Sequence, residues 1–309
     1  MEPASNIQGI IAPNTIEATF LVLRVKDADK CKDVVADIPD LTKNVAVRDL
    51  AAKMNVTVGI GANVWDAITG GLPRPSELHP FKEVKGLKHT APSTPGDLLF
   101  HVRANRRDLI FEFERQLLGR FGSAAETVDE VSGFRYFDGR NLLGFVDGTA
   151  NPVGPDLPEA CIVTAEQCKA GAGGSYLVIQ RYMHDLGGWT KLKTEEQEAT
   201  IGRTKIDNTE TEDAAVDAQK SHRQLTTVDV DGEELDILRD NLPFGRPGHG
   251  EYGTFFIGYS RRLWVTERML QNMFIGVPPG KHDRMLDYSK AVTGNVFFVP
   301  SVEMLESLG

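Results

Sequence analysis

The sequence predicts an α+β fold, with helices packed on largely antiparallel sheet. Two observations carry that reading. Two passages far apart in the chain follow one plan: a glycine, a short apolar strand, an arginine pair and then an amphipathic helix. Further strand-like apolar runs, with hairpin-like stretches among them, stand in both halves, so strands and helices are mixed.

The first strand is the apolar run ATFLVLRV from Ala18. The first copy of the repeated plan, GDLLFHVRANRRDLIFEFERQLLGRF, begins at Gly96. Its helix shows Leu109, Phe113, Leu117 and Phe121 on one face, and Asn105 is placed to cap it. The stretch TANPVGPDLPEA is dense in Pro and Gly and reads as a linker, which sets a boundary near Pro152 and divides the chain into 1–152 and 153–309. The second half opens with the strand GSYLVIQRYM from Gly174. The second copy, GTFFIGYSRRLWVTERMLQNMF from Gly253, has Thr266 as its expected cap and Met269, Leu270, Met273 and Phe274 as its apolar face.

At 309 residues, with 41% hydrophobic and 25% charged residues, the chain can bury a substantial core without staples. A net charge of -10 argues against a sequence-independent grip on nucleic acid phosphates, leaving room only for a local basic patch. The three cysteines, Cys31, Cys161 and Cys168, form no disulfide framework and no Cys-x-x-Cys, as expected in a reducing compartment. The N-terminus lacks a basic start followed by a long apolar core, and no apolar run reaches membrane-spanning length. The expected location is cytoplasmic, with no nucleic acid or membrane partner. The C-terminus, PSVEMLESLG, follows closely on the last strand and shows no evident targeting tail, so enclosure in a protein nanocompartment is not legible from it.

Two stretches of the chain carry chemistry. In NLLGFVDGTANP, Asp147 ends an apolar run beside Gly148, which by itself is a turn signal. In GEELDILRDNLPFG, an extended chain points Leu235, Ile237, Arg239 and Asn241 the same way. A guanidinium among apolar residues needs a counter-charge or an anionic ligand, unless it snorkels to water from a strand end. The seven histidines include no His-Glu-x-x-His pair and no Cys/His zinc cluster. Phosphate-binding loops, a dinucleotide fingerprint and a Gly-x-Ser-x-Gly elbow are also absent from the sequence.

Gly144-Phe145-Val146-Asp147-Gly148 resembles the Gly-x-x-Asp-Gly signature of the dye-decolourising peroxidases. YLVIQRYMHDL, IGRTK, His222, ILRDNLPFG, GTFFIGYSRRL and VTGNVFFVPS are similar to that family in the same order, so the resemblance spans nearly the whole chain. The compact length is similar to the B-type bacterial branch. The resemblance implies two ferredoxin-like halves of the dimeric α+β barrel type, the second holding one non-covalent haem b per chain, and a homo-oligomer. The absence of Cys-x-x-Cys-His agrees with non-covalent attachment.

The implied activity is reduction of hydrogen peroxide and oxidation of aromatic, phenolic or dye-like donors through a ferryl intermediate. The alternative is a haem-binding or iron-handling protein with incidental peroxidase activity. Carried over by residue, His222 is the implied axial iron ligand, with His184 and His249 as competitors. Asp283 is its implied hydrogen-bond partner, with Asp287 as the alternative. Asp147, Arg239 and Asn241 are implied around peroxide, Phe255 and Ile257 as apolar walls, and Arg203 at a haem propionate. Trp189, Trp264, Tyr182, Tyr252 and Tyr259 are candidates for relaying electrons to bulky donors at the surface.

Overall fold

The computed structural model describes residues 6–309. In the N-terminal half, the strands Glu17–Val25, Asn55–Gly61, Leu98–Ala104 and Ala125–Phe134 pair antiparallel, and in space the second and third precede the first and fourth. In the C-terminal half, Ser175–His184, the split strand Leu238–Arg239 and Leu242–Arg246, Glu251–Ser260 and Asn295–Val299 repeat the same order. Each half is thus a ferredoxin-like unit. The long helices Arg107–Phe121 and Leu263–Ile275 each follow the third strand of their unit, as the repeated sequence plan requires.

The halves share one ten-stranded sheet, because the last strand pairs with the second through Phe297↔Gly61 and Phe298↔Ile60. Gly59 allows this approach, since a Cβ there would lie 2.9 Å from the Phe297 Cβ. Leu242 lies against Gly133 in the same way, where the far ends of the two units meet. Between them is an apolar core in which Phe20 stacks on Phe255 at 4.0 Å. Burial of such side chains is the main stabilising contribution, about 1.5–3 kcal/mol each.

Leu109, Phe113, Leu117 and Phe121 are all buried along their helix. Both expected caps are corrected. The Arg107–Phe121 helix has Arg106 at its N-cap without a side-chain bond, because the Asn105 Oδ1 instead accepts the Ile16 N–H at 3.2 Å. The other helix starts at Leu263, so Thr266 is inside its first turn and buried. Among the described residues no helix is long and apolar enough to cross a membrane.

Candidate active site

The Gly-x-x-Asp-Gly loop is built by its own polar groups. Asn141 Oδ1 accepts the N–H groups of Leu143 and Phe145 at 3.1 and 3.2 Å, which folds the chain back on itself. Gly144 has φ 93° and faces Lys205 so closely that a Cβ would meet its side chain at 2.5 Å. The Asp147 N–H donates to Gly139 O at 2.9 Å, which fixes the start of that side chain. Asp147 then turns into a cavity of about 260 Å³ and approaches Asn241 Nδ2 at 3.5 Å.

Ile237, Arg239 and Asn241 all line that cavity, as alternation along an extended chain requires. The residue between them turns the other way: Asp240 is buried and pairs with Arg103 of the N-terminal half at 2.6 Å. That buried ion pair pins the strand from behind. Arg239 is held from the front by Asn151, whose Oδ1 accepts the Arg239 backbone N–H at 3.0 Å and whose Nδ2 donates to the Arg239 carbonyl at 2.6 Å. In sequence Asn151 is marked only as part of the Pro- and Gly-dense linker. Burial raises the Asp236 carboxyl above its usual range, a shift that the nearby Arg239 charge opposes.

Two histidines line the cavity, His184 and His222. Both ring nitrogens of His184 are occupied, by the Ser289 hydroxyl at 2.8 Å and the Thr254 hydroxyl at 2.9 Å. Burial lowers its pKa to about 4, so it is a neutral hydrogen-bonded ring. His249 is exposed in the Pro247–His249 turn, away from the cavity lining. His222 differs from both. It begins the short helix His222–Thr226, capped by Ser221, and its Nδ1 donates to Asp283 Oδ2 at 2.6 Å. Asp283 is fully buried and its Oδ1 accepts the Met285 N–H. Among the described residues no protein group bonds to His222 Nε2. Asp287 lines neither the cavity nor the His222 ring and pairs instead with Lys88, His89 and His282.

The apolar lining comes from Leu143, Phe145, Met269, Leu270, Met273 and Met285, among others. Phe255 and Ile257 do not contribute to it. They are fully buried in the core between the halves, while Thr254 and Phe256, on the other face of the same strand, line the cavity. Arg203 lines it as well, paired with Glu210 at 2.5 Å and donating to the Asn208 carbonyl. Two buried atoms on this lining, Thr266 Oγ1 and Arg223 Nε, have no hydrogen-bond partner among the described residues. A mostly apolar lining, one free imidazole nitrogen and nearby guanidinium groups fit a flat metal-bearing group with carboxylate arms.

Among the relay candidates, Trp189, Tyr182 and Tyr259 are buried, and Trp189 Nε1 donates to Leu143 O at 2.9 Å. None of those three presents its ring at the surface. Trp264 and Tyr252 are partly exposed.

Known proteins share this fold. The family model described as Dyp-type peroxidase, N-terminal, matches residues 7–135, and Dyp-type peroxidase, C-terminal, matches residues 138–304. A dye-decolorizing peroxidase of Mycobacterium tuberculosis is 48% identical over 98% of this chain and 91% of its own. A Rhodococcus jostii RHA1 DypB variant solved in complex with heme superposes with a TM-score of 0.92 at 49% identity, covering 97% of each chain. The encapsulated DyP-type peroxidase from Mycobacterium smegmatis gives a TM-score of 0.93 at 47% identity, covering 98% of each. The chain belongs to the Dyp-type peroxidase family.

Proposed function

We propose that this chain is a haem-dependent peroxidase that reduces hydrogen peroxide and oxidises aromatic or phenolic donors, with one non-covalent haem b per chain. The observation that carries the proposal is the meeting of Asp147, Arg239 and Asn241 in the cavity that also receives His222. Haem, when bound, supplies the redox centre that takes oxidising equivalents from peroxide and passes them to a donor.

The protein's part follows from its own groups. His222 Nε2 would hold the iron, and the Asp283 carboxylate would keep the ring oriented and make it a more basic ligand. Asp147 would take a proton from one peroxide oxygen and deliver it to the departing one. Arg239, held by Asn151, would stabilise the negative charge that develops between those transfers. Asn241 would orient peroxide or a water through its Nδ2, because its Oδ1 already accepts the Ile257 N–H at 3.1 Å. Arg203 would exchange Glu210 for a propionate, a match of fork to carboxylate.

The proposal extends to organisation. The chain would divide near Pro152 into an N-terminal unit and a C-terminal haem-holding unit, with the loop that carries Asp147 at the junction. It would act in the cytoplasm, a reading supported by three free cysteines, and would assemble as a homo-oligomer. The encapsulated relative supports testing for enclosure in a protein shell.

The test is stopped-flow mixing of haem-loaded wild type, Asp147→Ala and Arg239→Leu with peroxide. Slowing of the peroxide-dependent spectral change by about a hundredfold or more in at least one variant is expected. Wild-type rates in both would overturn the assignment.

A further inference from the structure

Outside the cavity, three metal-ligating side chains converge at the junction of the two halves. His89 Nε2 and His282 Nε2 lie 2.7 and 3.1 Å from the same oxygen, Asp287 Oδ1, and their ligand atoms all fall within 4.8 Å of one another. The Lys88 ammonium reaches that oxygen too, at 2.6 Å. A carboxylate oxygen has two lone pairs, so three donors crowd onto Oδ1, while among the described residues no donor reaches Oδ2. The side chains stand on short, fixed turns. His89 closes the hairpin of Val84–Lys85 and Thr90–Ala91, where its carbonyl accepts the Gly86 N–H at 2.9 Å and Gly86 sits hard against the Phe274 carbonyl. Asp287 ends the Arg284–Asp287 turn, which is capped by Asp283.

We propose that His89, His282 and Asp287 form a binding site for one divalent cation of the zinc, nickel and copper class. Two imidazole nitrogens and a carboxylate suit such borderline ions, whereas calcium and magnesium demand oxygen ligands. Ligand bonds near 2.0–2.2 Å place tetrahedral neighbours roughly 3.3–3.5 Å apart. Both histidine-to-carboxylate distances therefore need to open by only a fraction of an ångström to admit the ion. On binding, each Nε2 would change from donor toward Asp287 to electron-pair donor toward the metal, releasing its proton or shifting it to Nδ1. Lys88 is exposed and would swing away, since its charge competes with the ion. Water would complete the coordination at this partly open place. The ion would staple the N-terminal hairpin to the loop of the C-terminal half.

Isothermal titration of the haem-loaded protein with Zn²⁺ at neutral pH tests this, with thermal melts of the same samples. One ion per chain is expected, with affinity reduced at least about tenfold in His89→Ala and in His282→Ala. Lys88→Met should bind severalfold more tightly, and Zn²⁺ should raise Tm in wild type and Lys88→Met but not in the double histidine variant. Equal Zn²⁺ uptake by wild type and the folded double variant would overturn the proposal, as would weaker binding by Lys88→Met. The haem reading is independent of either outcome.

Discussion

His222 Nδ1 lies 2.6 Å from the Asp283 carboxylate, and that carboxylate is fully buried. Asp283→Asn keeps the shape but removes the anionic acceptor. The haem-loaded variant is expected to have a higher ferric/ferrous potential and about tenfold to a hundredfold weaker cofactor retention. Spectroelectrochemistry and the rate of haem loss to an apo-globin acceptor measure the two. An unchanged potential would remove Asp283 from the ligand's environment.

Asn151 brackets Arg239 through three contacts, the backbone N–H, the carbonyl and a long one from Nε. Asn151→Ala should therefore slow the reaction with peroxide by about tenfold or more through misplacement of the guanidinium, with haem retention unaltered. Pre-steady-state kinetics beside a haem titration separates those effects.

Phe255 and Phe256 stand on opposite faces of one strand, so their replacement should give different results. Phe255→Ala opens the core against Phe20 and should cost about 3–5 kcal/mol of stability while the Soret band keeps its position. Phe256→Ala should instead disturb the absorption spectrum or weaken haem binding, because that ring lines the cavity. Denaturant unfolding and absorption spectra check the pair.

His184 couples stability to pH. Its folded pKa of about 4 lies below the ordinary value of 6.5, so the unfolded chain binds the extra proton first. Its contribution is fully present above pH 6.5, is lost progressively as pH falls toward 4, and amounts to roughly 3 kcal/mol. Unfolding curves across that window should flatten in His184→Gln. A wild-type slope in the variant would show that another group titrates.

What was legible in the sequence follows physical lines. The strand bearing Arg239 could be read because a charged residue and an amide break its apolar run and so mark one face. The strand Glu251–Ser260 could not, since Phe255, Phe256 and Ile257 are consecutive apolar residues. One face meets the inter-half core and the other meets the cavity, so alternation carries no mark. Asn151 was hidden because its partner is 88 positions away and Asn-Pro reads the same way in any turn. The helix caps failed locally: Asn105 is an ordinary capping residue whose side chain is taken by Ile16, just before a neighbouring strand. His222 and Asp283 are marked in the sequence only by family resemblance. Their pairing spans 61 positions and leaves no periodic trace.

The central claim, a haem carried on His222, is tested most directly by adding haem to the apo-protein and recording electron paramagnetic resonance of the ferric form. Wild type is expected to take up one equivalent and show a histidine-ligated spectrum, which His222→Ala loses and added imidazole restores. An identical spectrum in wild type and His222→Ala would contradict it.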